Sequence, residues 1–227
     1  MTTEAVRRSR YGPLLICLLL LSVVVPLFEG TPLGVTVMDI VSVAILLSGV
    51  WAASRRRRDL YILIVLVAIT EAVRLVSFFG SELYGAIAST AVGIVFLAYI
   101  TVLILRDVLK ASQVSLDTIG GAVCGYLMIG ITWGTTYFLI DLIRPESFNF
   151  PAHLQPRAEV VAQQAHYLQL VYYSIVTLTT VGYGDISATA PVARNLSALE
   201  AMVGQFYIAI LVARLVALEI MQSRRSD

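Results

Sequence analysis

Six stretches of this chain run apolar for roughly twenty residues each. That is the length at which a helix crosses the hydrocarbon core of a bilayer. They extend from about Pro13 to Phe28, Leu33 to Ala53, Leu60 to Phe79, Leu83 to Leu105, Leu116 to Ile143 and Pro191 to Met221. Only 14% of residues are charged, 58% are hydrophobic, and the mean hydropathy is +0.84. Soluble domains carry about 25% charged residues, so the expected class is an all-α integral membrane protein with six transmembrane helices. A further apolar segment, Tyr167 to Thr179, is too short to span and reads as a re-entrant helix. Thr189 is the expected N-cap of the last helix, with Pro191 in its first turn.

The arginines orient these spans, because cytoplasmic loops collect basic residues. Arg7, Arg8 and Arg10 precede the first span, Arg55 to Arg58 follow the second, Arg106 and Lys110 follow the fourth, and Arg224 and Arg225 follow the sixth. Six alternating helices put all these clusters on one side and leave only Arg144 and Arg157 in the opposite loops. A multi-pass protein of the cell membrane with both termini cytoplasmic is expected. The first run is read as a retained helix, since no A-x-A-like cleavage site follows it. Little chain follows the last span, so no cytoplasmic ligand-binding domain is expected there.

Between the re-entrant segment and the last span stands Thr179-Thr180-Val181-Gly182-Tyr183-Gly184-Asp185. An ion can leave water only if oxygens replace its hydration shell at nearly equal free energy. Carbonyls on an ordinary strand point alternately to opposite sides. Turning them to one side needs residues with left-handed φ at alternate positions, and glycine adopts that conformation at least cost. Gly182 and Gly184 have the required spacing. The carbonyls of Thr180, Val181, Gly182 and Tyr183, with the Thr180 hydroxyl, are the candidate ion ligands. Val181 and Tyr183 would then brace the strand from behind.

The run Thr180 to Gly184 resembles the selectivity filter of the potassium-channel family. The preceding Thr177-Leu178-Thr179, the following Asp185, and the helix–re-entrant loop–helix frame from about Ser115 to Gln222 are similar to the same family. The six-span layout resembles its six-helix branch. This resemblance implies a peripheral four-helix unit at residues 1–110 and a pore domain at 111–227. It implies a homotetramer around a central pore, because one copy supplies a quarter of each oxygen ring. K+ would pass as substrate, with no cofactor, with membrane lipid as the surroundings and no nucleic acid as partner. Many members have paired tryptophans where this chain has Tyr172 and Tyr173. By resemblance the first of these lies near Asp185 behind the filter, and a tyrosine can also donate the hydrogen bond. Some members carry a glutamate in place of Val176, so no buried carboxylate pair is expected there.

Gly204 stands where the family's inner helix has a glycine hinge, and close helix packing is the equal alternative. Counting by turns beyond it gives Ile208, Val212, Val216 and Ile220 as candidate pore wall and gate. Glycines at Gly121 and Gly125, and at Gly130 and Gly134, have the spacing that lets helices approach closely.

Voltage-gated relatives carry arginines along the fourth span, whereas Leu83 to Leu105 has no charge at all. Weak voltage dependence is expected. Asp39, Glu71 and Arg74 are charges within spans. Glu71 and Arg74 are three apart on one face and read as a structural ion pair, with Asp39 as a further partner. Arg194, Glu200, Arg214 and Glu219 on the last span stay open, with Glu200 a candidate for burial. Cys17 and Cys124 lie in apolar runs and read as packing residues. A short helix is expected at Ala158 to Ala165. His153 and His166 read as solvated or loop-packing groups, with external pH sensing as the alternative. No nucleophile–base set, phosphate loop or metal cluster points to an enzyme. The competing functions are a channel-like subunit of a potassium uptake transporter and a non-conducting regulatory subunit. The gating stimulus and the place of the gate stay open.

Overall fold

The computed structural model describes residues 10–28, 31–53, 57–77, 82–151 and 159–223. Helix α1 runs from Gly12 to Phe28 and changes character along its length. It is α-helical to Leu19, widens into a π-turn over Leu20–Val24, and tightens to a 3₁₀ turn over Val25–Phe28. Pro26 is the cause: it has no N–H to give and its ring crowds the preceding turn. The ladder widens so that the Val25 N–H reaches the Leu20 carbonyl.

Helices α2 (Pro32–Ala53), α3 (Arg57–Ser77) and α4 (Glu82–Lys110) follow. After a short connection, Ser115 caps α5 (Leu116–Ile143) by accepting from the Thr118 N–H at 3.1 Å. Then come β1 (Phe148–Asn149), α6 (Glu159–Leu178), β2 (Ser187–Ala188) and α7 (Pro191–Ser223).

Among the described residues four segments are long and apolar enough to cross a membrane: Leu33–Ala52, Leu83–Lys110, Leu116–Ile143 and Pro191–Leu218. These correspond to the second, fourth, fifth and sixth expected spans. α1 is shorter, and the third expected span, within α3, lies partly outside the described residues. Phe79, at the end of the expected third span, lies outside the described residues. So do Arg7, Arg8, Arg55, Arg56, His153, Arg157, Arg224 and Arg225, and the side chains of Glu71, Arg74 and Glu219.

One apolar core runs across position 110. It joins Leu14 and Leu18 of α1, Ile100 and Ile104 of α4, and Cys124 and Met128 of α5. Charged contacts fasten the start of the chain to the same seam. Arg10 pairs with Asp107 at 3.1 Å, and the Tyr11 N–H donates to Asp117 at 3.2 Å. Both cysteines are free thiols, and Cys124 is buried.

α5 is the axis of the packing, with α4 on one side and α6 on the other. Its glycines let neighbours approach closely. A Cβ on Gly134 would lie 2.7 Å from the Cα of Val171, and one on Gly121 would lie 2.8 Å from the Tyr11 ring. Around the far end of α5 a second core gathers Tyr137, Phe148, Tyr173 and Ile186. There β1 pairs antiparallel with β2, Phe148 opposite Ala188 and Asn149 opposite Ser187. This pair ties the segment after α5 to the segment before α7.

Thr189 does not cap α7. Its hydroxyl donates to the Glu146 carbonyl at 2.6 Å, and its N–H donates to Ser147. The β pairing draws Thr189 toward the loop after α5, so Ala190 accepts the first helical bond, from the Arg194 N–H. Pro191 opens the helix as expected.

Candidate ion pathway

α6 is twenty residues long and longer than the apolar run alone implied. The segment expected as a separate short helix at 158–165 merges into it, because no glycine or proline interrupts the chain between Glu159 and Leu178. The helix is seated on α5 by Val171 against Gly134 and by Ser174 Oγ, 2.7 Å from the Gly130 carbonyl oxygen.

The C-terminus of α6 would leave carbonyls without partners. The following residues satisfy them. The N–H groups of Thr179, Thr180 and Val181 donate to the carbonyls of Ile175, Thr177 and Val176 at 2.9–3.0 Å. The Thr179 hydroxyl donates back to Ile175 at 2.7 Å, so this residue finishes the helix. The Tyr126 hydroxyl reaches from α5 to the Leu178 carbonyl at 3.1 Å.

Beyond the helix the backbone alternates in hand. Thr180 has φ 59°, Gly182 59° and Gly184 78°, while Val181 and Tyr183 between them have negative φ. The two glycines stand where left-handed φ was expected. Thr180 is a third such position that residue type alone does not reveal, since a β-branched side chain disfavours it. It is held there by its N–H bond to Thr177 and by Gln205 Nε2, which donates to its hydroxyl at 3.3 Å. All five residues from Thr180 to Gly184 are exposed in the single chain.

The neighbouring aromatics divide their work. The Tyr172 hydroxyl donates to Asp185 Oδ2 at 2.8 Å, joining the last turns of α6 to the residue after Gly184. Tyr173 faces the other way. It shares a 2.7 Å hydrogen bond with Ser197 of α7 and packs edge-on against Tyr137 and Phe148. A hydrogen bond to a charged acceptor contributes about 1.5–3 kcal/mol. Under the channel reading proposed below, Tyr172→Phe should keep the fold but shorten the time for which ion flux is sustained, read as faster decay of macroscopic current than in the wild type.

α7 passes unbroken through Gly204. A Cβ there would lie 2.1 Å from the Leu178 carbonyl oxygen, so the bare glycine is what lets α7 cross the end of α6. Ile208, Val212, Val216 and Ile220 lie beyond it, each between 43% and 53% exposed in the single chain. α7 is also tied to α5, where the Tyr207 hydroxyl donates to Ala122 O at 2.6 Å, and to the connection after α4, where Arg214 Nη2 donates to Ala111 O at 2.8 Å. Glu200 is fully buried.

Asp39 is exposed on α2 and lines a cavity of about 420 Å³ with Gln163, Gln164 and Tyr167. Its expected pairing with Glu71 and Arg74 involves side chains outside the described residues. His166 stands within α6 and not in a loop: its Nε2 lies 2.9 Å from Asp141 Oδ2 of α5, and its ring packs against Phe138 of α5 and Phe150. Among the described residues no three His, Cys, Asp or Glu side chains are grouped to hold a metal.

No curated protein and no solved structure matches the chain. The family described as "Ion channel" matches residues 125–219, from Gly125 of α5 through α6 and the strand to the last turns of α7. With four helices able to cross a membrane, the chain is a multi-pass membrane protein whose residues 125–219 are similar to an ion-channel family.

Proposed function

We propose that this chain is one subunit of a homotetrameric, potassium-selective channel that lets K+ pass passively down its gradient. The observation that carries this reading is the alternation of left-handed φ at Thr180, Gly182 and Gly184. Alternate hands turn successive carbonyls to one side of the strand. Four such strands around one axis make stacked oxygen rings from Thr180, Val181, Gly182 and Tyr183. The negative end of the α6 dipole lies at Leu178, immediately before the strand, where it favours a cation.

The exposure of α7 supports the assembly. Only 6% of its apolar window is buried within the chain, against 56% for α5. A helix this apolar and this uncovered fits a place between copies, with Ile208, Val212, Val216 and Ile220 toward the inner passage. The Gly204 contact with Leu178 favours close packing over a hinge at that residue.

Purified protein in planar bilayers tests the reading. In mixed K+ and Na+, the reversal potential should sit near the potassium equilibrium value. Equal permeability to both ions would overturn selectivity, and a conducting monomer would overturn the tetramer.

Opening should depend only weakly on voltage. Steep gating needs about 3–4 charges per subunit, each contributing about 2.3 kcal/mol per 100 mV. Leu83 to Leu105 of α4 carries none, and Glu71 would cancel most of the work of moving Arg74. A conductance–voltage curve in symmetric K+ should be shallow. A steep sigmoid reduced by Arg74→Gln would contradict this.

A further inference from the structure

Glu200 lies in α7 with no solvent exposure, where a carboxyl group is rarely found unless its polar atoms are partnered. Its Oε2 accepts from the Tyr137 hydroxyl of α5 at 2.6 Å, and its Oε1 is hydrogen-bonded to Ser174 Oγ of α6. Ser174 Oγ is in turn hydrogen-bonded to the Gly130 carbonyl oxygen of α5 at 2.7 Å. One side chain therefore joins all three helices that frame the Thr180–Gly184 strand. The ionisable groups around it are the phenols of Tyr137 and Tyr126 on α5 and, beside Tyr137, Tyr173 on α6. Among the described residues no cation pairs with it.

Counting protons decides what this cluster is. A serine hydroxyl has one hydrogen to give, and a peptide carbonyl has none. Were Glu200 a carboxylate, its Oε1 and the Gly130 oxygen would compete for that single hydrogen. One close oxygen pair would then have no hydrogen between its members, beside an unpaired buried charge. A proton on Oε1 resolves both problems. Tyr137 then donates to Glu200 Oε2, Glu200 donates to Ser174, and Ser174 donates to Gly130. Each hydrogen has one acceptor and each contact has one hydrogen.

We propose that Glu200 works as a carboxylic acid, and that its proton positions α6, and with it the Thr180–Gly184 strand, against α5 and α7. It is a positioning residue and touches neither the strand nor the ion. Taking the proton away leaves Ser174 with two acceptors for one hydrogen and loosens the seam between α6 and its neighbours. The effect on conduction rests on the channel reading above. The protonation state and the seam do not.

The experiment compares wild type with Glu200→Gln in lipid, using readouts that do not need conduction. Gln retains a donor for Ser174 and an acceptor for Tyr137. Its spare amide hydrogen costs stability, which thermal unfolding reads separately. Infrared difference spectra at neutral pH should show a carboxylic-acid C=O band in wild type that is missing in the variant. A carboxylate band in its place would overturn the proposal. The protection of the α6 amides, corrected for the base-catalysed rise of intrinsic exchange, should fall at alkaline pH in wild type and stay flat in Glu200→Gln. An identical alkaline response in both would overturn the positioning role. Potassium flux into liposomes should follow exchange, with an alkaline loss in wild type that Glu200→Gln abolishes. A wild type that shows the band and the exchange response but no flux would sink the channel reading and leave the role of Glu200 standing.

Discussion

Gly182→Ala should abolish potassium flux while the protein still folds and assembles. Gly182 has φ 59°, and nothing lies within 4 Å of the place where a Cβ would stand. Within the chain alanine would therefore meet no neighbour, and its effect there falls on the backbone. An L-residue with a side chain disfavours the left-handed region by roughly 1–2 kcal/mol. In the proposed tetramer, four copies around one axis would multiply that cost at a single ion site. The strand already holds Thr180 in the same region at φ 59°, so it has little tolerance left. Relaxing Gly182 toward negative φ would turn a carbonyl away from the proposed axis and break the proposed ring at its middle. Liposome flux should fall to the protein-free background, while the unfolding midpoint stays near the wild-type value. A variant that still passes K+ selectively would show that the left-handed position is not needed, and the proposed site would be wrong.

Gly204→Ala should do the reverse and damage the fold before conduction can be asked about. The added Cβ would sit 2.1 Å from the Leu178 carbonyl oxygen and 3.0 Å from the Leu178 carbonyl carbon. The obstacle is backbone, which cannot rotate aside as a side-chain tip can. α7 must move away from the end of α6, and that opens the seam next to Tyr126 and Tyr207. Overpacking a filled interior costs about 1–3 kcal/mol, and this contact belongs at the upper end. The yield of assembled protein and its unfolding temperature should both drop clearly. A stable Gly204→Ala protein with altered opening would restore the hinge reading of this residue.

These two glycines show how unequally the chain could be read in advance. A left-handed φ is a property of one residue, so Gly182 and Gly184 announced the strand's geometry from their identity and spacing. The bond between Tyr172 and Asp185 came from the resemblance of the segment to a known family. Thr180 gave no such signal, because a β-branched residue disfavours that φ and is held there by contacts. Helix existence was legible for the same local reason, since hydropathy accumulates over about twenty neighbouring residues. The exact bounds were not. Pro26 reshaped α1, and α6 ran back to Glu159 with nothing to stop it.

Contacts between distant residues decided the rest. Gly204 reads as hinge or as packing until α7 is placed against Leu178, and no periodicity along one helix says which neighbour it will meet. Thr189 is a good cap by type, but the pairing of β1 with β2 gives its hydroxyl to Glu146 instead. Glu200 is the clearest case. In the chain it is a charge inside an apolar run, with nothing nearby to neutralise it. Its partners stand 63 and 26 residues away, on two other helices. The sequence by itself determined which segments are apolar enough to cross a membrane and that Gly182 and Gly184 can turn left-handed, because those follow from each residue and its neighbours. Only the tertiary structure decided which hydroxyls meet that carboxyl group, because a proton is placed by the acceptors around it and these arrive with the packing of three helices.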